Sequence, residues 1–250
     1  MKISDPHEYF NRVMFSTVKR WGLITSFRDF SKLGAPLART EHFEQVARLF
    51  LSDLNLIKPM FPDLESSGKS PEEYLGKFFA EATKKSEKQF RIAVDAASLV
   101  FGHSIVESCA ANYCRLIAFI DPDSWESQVG NKKVSIGSYK DIEYTELLVN
   151  AINNYMDNDF EQLSMVIKVE TLIGKCGGAK SVPETDLFMY DADRTRRIHK
   201  QRNSVVHTDE ELPGFDNIED DLFYLQLMTF PFFTLLMNTK YGLQIDTNHF

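Results

Sequence analysis

Apolar residues recur at intervals of three and four over most of the chain, which is the spacing of one face of an α-helix. The longest series runs from Ile92 to Ile120 and stops at Asp121-Pro122, where proline disfavours further helix. Its members are Ile92, Ala96, Leu99, His103, Val106, Ala110, Tyr113, Ile117 and Ile120. We therefore expect one long helix with a heptad-like apolar seam.

Similar spacings predict helices on the N-terminal side of this segment. One helix is expected from Asp5, a suitable N-cap followed by proline, to about Phe30. Gly34 and Pro36 indicate a loop over Ser31–Arg39, and a second helix is expected after Thr40. These signals predict two separate N-terminal helices.

A third helix is signalled by Ser70-Pro71-Glu72-Glu73, in which Ser70 and Glu73 form a capping box. Lys58–Ser70 before it carries two prolines and indicates a loop or linker. The polar run Lys84–Gln89 predicts a break, because a continuous helix over Pro71–Ile120 would be unusually long.

The second half of the chain is also mainly helical by pattern. At most a small β excursion is expected near 129–138, and the predicted helices begin near Asp141, Leu163, Asp191 or Asp193, and Ile218. The last of these helices is expected to bend at Pro231. The sequence thus predicts an all-α fold, with an N-terminal helical region (1–88) and a helical bundle (89–250). Whether the N-terminal region packs on the bundle stays open.

Composition adds limits to this picture. The chain has 250 residues, 43% hydrophobic, with twelve glycines and nine prolines, which disfavours a turn-rich β fold. By inspection no uninterrupted apolar run approaches the ~20 residues of a membrane span, and the first ten residues lack the apolar core of a signal peptide. We expect a cytoplasmic protein without a membrane partner. A net charge of −8 argues against an extended surface that coats nucleic acid, but not against a local basic patch.

Metal and cofactor chemistry have no clear signature. Cys109, Cys114 and Cys176 have no C-x-x-C spacing, and the six histidines show no ligand spacing beside a carboxylate or cysteine cluster. Gly174–Ser181 is similar to a phosphate-binding loop, but Ala179 stands where glycine must precede the lysine, and a helix is predicted before it instead of a strand. A helix C-cap is the better interpretation. We expect no metal and no cofactor.

The segment Arg194–His207 is the strongest chemical signal. It holds five formal positive charges, Arg194, Arg196, Arg197, Lys200 and Arg202, in an acidic protein. A neutral imidazole such as that of His207 can accept the proton of an RNA 2′-hydroxyl, and a guanidinium such as that of Arg202 can stabilise the charge of the transition state. The product would carry a 2′,3′-cyclic phosphate.

The spacing of this pair bears on how it could act. Residues five apart on a helix differ by about 140° of rotation and ~7.5 Å of rise. In one copy the two groups lie on different sides of the helix and do not readily reach one phosphate, whereas two copies facing each other could bring both groups to it. The alternative interpretation is a solvated helix end.

A second polar pair lies inside the apolar seam. His103 occupies a seam position, and Glu107 follows one helical turn later, within hydrogen-bonding reach. A core histidine satisfied by its neighbour is the simpler interpretation. A supporting role at a functional site is the alternative.

Arg202-Asn203-Ser204-Val205-Val206-His207 resembles the signature of the HEPN superfamily (higher eukaryotes and prokaryotes nucleotide-binding), in which an arginine precedes a histidine by four to six positions near the end of a late helix. Phe101–Glu107 is similar to part of that family's first core helix. The resemblance covers roughly residues 90–241.

The resemblance implies an antiparallel helical bundle that forms a homodimer, with two motif helices lining a shared cleft. Many members are metal-independent endoribonucleases of toxin systems, phage defence or RNA processing, so RNA and an antitoxin or regulatory protein are the expected partners. By position Arg202 and His207 would be catalytic, and Asn203 would orient or polarise. Arg194, Arg197 and Lys200 are expected to bind RNA phosphates because they are basic and adjacent.

Two function classes remain open at this point. The first is an endoribonuclease, and the second is a catalytically inactive helical module that binds a protein or a nucleotide ligand. One departure concerns regulation: a subgroup carries a tyrosine two residues after the histidine, which a partner enzyme adenylylates, and this chain has Asp209 there.

Overall fold

A computed structural model describes residues 3–51, 66–129, 143–181, 188–207, 212 and 214–246. The helices are α1 (Pro6–Leu51), α2 (Pro71–Ile120), α3 (Glu126–Val129), α4 (Tyr144–Asn158), α5 (Met165–Lys175), α6 (Ala192–His207), α7 (Ile218–Leu227) and α8 (Phe233–Tyr241). Within these ranges no sheet forms, so the prediction of an all-α fold is confirmed. The excursion predicted near 129–138 lies outside the described residues except for Val129, which ends α3.

Local capping signals place several helix starts where the sequence predicts them. The Asp5 carboxylate accepts from the backbone N–H of His7 at 2.8 Å, and the Ser70 hydroxyl accepts from that of Glu73 at 3.2 Å. At α6 the Asp191 carboxylate accepts from the N–H of Arg194 at 2.9 Å. These bonds satisfy donors that have no partner inside the helix.

Two predicted interruptions are wrong. Ser31–Arg39 is helical and lies within α1, and Lys84–Gln89 is helical and lies within α2. The second run contains lysine, glutamate and glutamine, which are good helix formers, and no glycine or proline. Its polarity therefore reports exposure to solvent and not the end of a helix.

Two other predicted features are confirmed. The bend near Pro231 appears as a five-residue irregular turn, Met228–Phe232, between α7 and α8, where Phe230 has φ −149° and ψ 106°. After α5, Gly177 and Gly178 adopt φ 94° and 97°, and the N–H of Gly178 donates to the Ile173 carbonyl at 2.9 Å. Gly174–Ser181 is thus the end of a helix and not a phosphate-binding loop.

The chain forms two compact units that do not follow chain order. Unit 1 comprises Met1–Ile24, Leu99–His207 and Asn217–Phe250, and unit 2 comprises Thr25–Ser98 and Thr208–Asp216. Residues 1–24 therefore belong to the same unit as the segments that carry the candidate site. In unit 2, the buried guanidinium of Arg28 on α1 pairs with Asp95 on α2 at 2.9 Å.

The core of unit 1 is aromatic and closely packed around Gly102 on α2. A Cβ atom at this glycine would lie 3.1 Å from side-chain atoms of both Trp21 and Leu222. Trp21 is held in place because its indole N–H donates to the Thr229 hydroxyl at 2.9 Å. Gly102 thus lets α1 and α7 approach α2 closely, one residue before His103.

Two helical segments are long and apolar enough to cross a membrane by length and composition alone. They are Glu87–Ile120 and Ile218–Tyr241, and 50% and 56% of an apolar 18-residue stretch within each is buried inside the protein. Buried core helices of soluble proteins meet the same criterion, so these segments are weak support for a membrane location.

Candidate functional site

Helix α6 carries the motif and lies on the surface, with only Thr195 and Ile198 of its residues buried. Its first turn is anchored to α7 through Tyr224. The Tyr224 hydroxyl donates to the Asp191 carbonyl at 2.8 Å and lies 2.9 Å from the Thr195 hydroxyl oxygen. This anchor sets the position of α6 in unit 1, from which its later turns reach α2.

Asp221 gathers two of the predicted RNA-binding residues at the start of α6. Its carboxylate is 2% exposed and accepts two hydrogen bonds from Arg197, at 2.7 and 2.9 Å. Arg194 adds a bond to the same carboxylate at 3.0 Å, and its guanidinium lies 4.7 Å from the centre of the Tyr224 ring. Arg194 and Arg197 thus have a structural role, and RNA binding by them stays a prediction.

The other basic residues of α6 differ in whether a carboxylate pairs with them. Arg196 pairs with Glu170 of α5 at 2.7 Å and with Asp193 at 3.3 Å. Lys200 is exposed. In the part of the chain that the structure describes, no carboxylate pairs with Arg202, whose Nη1 donates to the amide oxygen of Asn203 at 3.1 Å. The Nε of Arg202 is buried and has no acceptor among these residues.

A continuous series of polar side chains leads from Arg202 into the core of unit 1. The amide nitrogen of Asn203 lies 3.2 Å from Nε2 of His199, and Nδ1 of His199 lies 2.9 Å from Nε2 of His103. His103 is 1% exposed, and its Nδ1 lies 3.8 Å from a carboxylate oxygen of Glu107, which is too long for a hydrogen bond. We call this series, with Lys168 at its end, the polar chain (Arg202, Asn203, His199, His103, Glu107 and Lys168).

The buried end of the polar chain is an ion pair between α2 and α5. Lys168 is 2% exposed, and its Nζ donates to Glu107 at 2.7 Å and to the Glu161 carbonyl at 2.9 Å. A second, longer contact joins Nζ to the Glu161 carboxylate at 4.0 Å. The Glu107 carboxylate is therefore held by Lys168 while its other oxygen faces His103.

Both histidines of the polar chain are kept uncharged by their surroundings. Burial, with the positive charge of Arg202 as the next contribution, lowers the pKa of His103 from 6.5 to about 3. Burial and the charge of Arg202 also lower the pKa of His199. A neutral imidazole at each position can both donate and accept one hydrogen bond.

We expect the free energy of unfolding to fall as the pH is lowered from 7 to 5. The unfolded chain binds a proton at His103 below about pH 6.5, whereas the folded chain does not until about pH 3, so acid favours the unfolded state. Between pH 7 and 5, one such group lowers the free energy of unfolding by roughly 2 kcal/mol. Urea denaturation at several pH values measures it.

The control for this experiment is a pair of variants of α2. His103→Leu is expected to remove the contribution of one histidine to the pH dependence between 7 and 5 and to leave that of His199, whereas Ser104→Ala, at an exposed neighbouring position, should retain both. An unchanged slope in His103→Leu would contradict the assignment to His103. Measuring a slope avoids confusion with any constant loss of stability in the variant.

The structure therefore divides the predicted residues into three sets. Arg202, Asn203, His103 and Glu107 belong to the polar chain, and Arg194 and Arg197 belong to the cluster at Asp221. The third set is Lys200 and His207, which are exposed on α6, and no contact joins either of them to the polar chain in the described ranges. Within those ranges, no group of three or more His, Cys, Asp or Glu residues could hold a metal ion.

Sequence reasoning missed three residues of this region, His199, Lys168 and Asp221. His199 lies one turn before Asn203 on α6, which is a usable signal for a contact. Lys168 interrupts an apolar series on α5 at a core position, between Met165 and Leu172. A single charge at such a position indicates a buried pair.

Comparisons with known proteins add no assignment: no family model, no curated protein and no solved structure matches the chain.

Proposed function

We propose that this protein is a metal-independent endoribonuclease of the HEPN type, acting as a homodimer. The observation that supports it best is the state of Arg202, a partly buried guanidinium for which the described residues provide no carboxylate. An uncompensated positive charge at a protein surface favours a phosphate ligand. The exposed side chains of Lys200 and His207 lie on the same helix, within two turns of Arg202.

The proposed reaction uses the 2′-hydroxyl of RNA as nucleophile. His207 accepts the hydroxyl proton while the 2′-oxygen attacks the adjacent phosphorus. The bond to the 5′-oxygen of the next nucleotide breaks, and that oxygen leaves as a hydroxyl after taking up a proton from water, to which His207 returns the proton it accepted. Arg202 stabilises the negative charge that builds on the phosphate oxygens, and the product ends are a 2′,3′-cyclic phosphate and a 5′-hydroxyl.

A second copy of the chain is part of this proposal. Arg202 and His207 differ by about 140° around α6, so two such helices facing each other would present both groups to one phosphodiester more easily than one helix can. Lys200 is the exposed residue proposed to bind RNA phosphates. Arg194 and Arg197 would add to this binding through the donors that Asp221 leaves free.

The test is to incubate the purified full chain with mixed RNA in EDTA. We expect cleavage with 2′,3′-cyclic phosphate ends and no cleavage of the same sequences made with 2′-deoxyribose, which lack the nucleophile. The mass in solution should correspond to two chains. Absence of cleavage by folded protein, a requirement for a divalent metal, or products with a free 3′-hydroxyl would each contradict the proposal.

For the biological role, the proposal rests on the resemblance to the HEPN superfamily. A ribonuclease of this kind would act in the cytoplasm as a toxin or phage-defence effector, held inactive by an antitoxin or another regulatory protein. Asp209 makes control by tyrosine adenylylation at that position inapplicable to this chain.

The second candidate is a catalytically inactive helical module that binds a protein or a nucleotide ligand. It is favoured by the pairing of Arg194 and Arg197 with Asp221, which gives two of the five basic residues a structural role. For this candidate, Arg202→Ala and His207→Ala would change binding of the partner and leave RNA intact in the same assay.

A further inference from the structure

The orientation of the three hydrogen bonds between Arg202 and His103 follows from one donor. Arginine can only donate, so the Asn203 atom that faces Arg202 must be the amide oxygen. The amide nitrogen of Asn203 then faces His199 and donates to its Nε2. This leaves Nε2 of His199 without a proton.

The same argument determines which nitrogen carries the proton in each imidazole ring. A neutral His199 with a bare Nε2 carries its proton on Nδ1, which donates to Nε2 of His103 across 2.9 Å. His103 is then also bare at Nε2 and protonated at Nδ1, the atom that faces Glu107. The donors of Arg202, Asn203 and His199 therefore all point towards His103, whose Nδ1 proton faces the Glu107 carboxylate at 3.8 Å without a hydrogen bond.

We infer that His199 and His103 are positioning residues, which orient Arg202 through Asn203 only while both rings are neutral and carry their proton on Nδ1. The orientation of Arg202 is thus coupled to the protonation of His199. The consequence for catalysis rests on the proposed function. The assignment of the ring protons does not depend on it.

Protonation of His199 would break this arrangement. Its Nε2 would become a donor that faces the amide nitrogen of Asn203, which is also a donor. The amide would have to rotate, and its nitrogen would then face the guanidinium of Arg202. Acid therefore releases Arg202 from Asn203.

The charged and titratable groups around the two rings come from each neighbouring helix. Arg202 on α6 disfavours a proton on either ring, Lys168 on α5 disfavours one on His103, and Glu107 on α2 favours one on His199. The Glu161 carboxylate meets the far side of Lys168. Burial and the nearby positive charges together favour the neutral rings at neutral pH.

Nitrogen NMR of the histidine rings in the full chain tests the inference without RNA. At pH 7 we expect two rings with a proton on Nδ1 and a bare Nε2, assigned by their loss in His103→Leu and His199→Gln. Finding the proton on Nε2 in either ring would overturn the inference. On titration with acid, the Nε–H signal of Arg202 should shift with the midpoint of His199, and an Arg202 signal that stays constant through that midpoint would also overturn it.

Asn203→Asp provides a direct test of the direction of the hydrogen bonds in the polar chain. A carboxylate still accepts from Arg202 but can only accept from His199 as well, so Nε2 of His199 must gain a proton in this variant. We expect the His199 ring to change to an Nε2–H form. An unchanged ring in a folded Asn203→Asp protein would overturn the inference.

Kinetics separate positioning from general damage. His199→Phe is expected to lower kcat by about 10-fold, with KM for RNA changed much less, because Arg202 is misplaced and not removed. His199→Gln keeps a polar group able to accept near the Nε2 position, and should stay within about threefold of the wild type. Ser204→Ala, an exposed neighbour whose hydroxyl bonds to the Gln201 carbonyl, is the control. Equal losses in His199→Phe and His199→Gln would contradict a positioning role.

The two proposals can fail separately. If the protein cleaves no RNA, the proposed function fails, and the ring tautomers decide the inference alone. If RNA is cleaved but the rings carry their protons on Nε2, the inference fails and the ribonuclease remains.

Discussion

His207→Ala is expected to lower the rate of RNA cleavage by about 10²–10⁴-fold, the usual contribution of a general base. The side chain is exposed at the last residue of α6, so its removal should leave the fold and the stability nearly unchanged. Single-turnover cleavage of a defined RNA measures the effect, and circular dichroism confirms the fold. Cleavage by His207→Ala at the wild-type rate would exclude His207 as the base.

Substitutions of Arg202 are expected to have a similar effect in the same cleavage assay. Arg202→Ala should cost about 10²–10³-fold, and Arg202→Lys should recover little, because an ammonium cannot reproduce the fork of donors that a guanidinium presents to Asn203 and a phosphate. The matched control is Arg196→Ala, which removes one positive charge from the same helix. Arg196 pairs with Glu170 and Asp193 and has no contact with the polar chain, so cleavage should stay within about twofold. A comparable loss in Arg196→Ala would indicate a general charge effect.

The second large effect concerns stability. Glu107→Gln is expected to lower the free energy of unfolding by about 3 kcal/mol at pH 7, because it leaves a buried ammonium without its carboxylate. Lys168 is 2% exposed and would retain the Glu161 carbonyl at 2.9 Å and a distant carboxylate. Urea denaturation followed by tryptophan fluorescence measures the loss.

The control uses the difference in exposure between Lys168 and Glu107. Lys168→Met should cost less than Glu107→Gln, because the Glu107 side chain is 30% exposed and water can solvate it. The double variant should regain most of the stability lost in Glu107→Gln, since no charge is then left buried. Glu170→Gln makes the same chemical change at an exposed pair and should leave the denaturation midpoint near that of the wild type. If the double variant were as unstable as Glu107→Gln, the buried ion pair would not be the cause.

This stability experiment also connects to the candidate site. Glu107 carries no direct contact to Arg202, yet it faces the Nδ1 proton that the orientation of the polar chain assigns to His103. Because this 3.8 Å contact is too long for a hydrogen bond, a loss of the carboxylate should act on Arg202 only weakly, through two imidazole rings and one amide. Cleavage by Glu107→Gln, measured under conditions where the variant is fully folded, should fall by a smaller factor than in Arg202→Ala.

Local signals in the sequence predicted much of the helical framework. Asp5, Ser70 and Asp191 cap helices where the sequence places them, because a cap acts on donors only two or three residues away. The breaks predicted at Ser31–Arg39 and Lys84–Gln89 were wrong. In the second case the polarity of the run was taken for the end of a helix, although lysine, glutamate and glutamine support helix as well as apolar residues do.

The motif itself was visible in the sequence, and its surroundings were not. Arg202 and Asn203 were named from the order of residues on one helix, as was the pair His103 and Glu107 one turn apart on another. Their connection runs through His199, which meets His103 over a separation of 96 residues, and Lys168, which meets Glu107 over 61. The pattern along one helix carries no information about which distant residue faces it.

Sequence alone determined the helical class, the caps and the basic residues of α6, because these depend on periodicity and on contacts within a few positions of the chain. Only the tertiary structure decided which of those basic residues pair with a carboxylate among the described residues and which do not. Asp221 pairs with Arg194 and Arg197, whereas Arg202 donates to the amide of Asn203, which in turn contacts the imidazole of His199. The physical reason is that burial and pairing of charge depend on where α2, α5 and α7 lie against α6, which is a property of the packed unit.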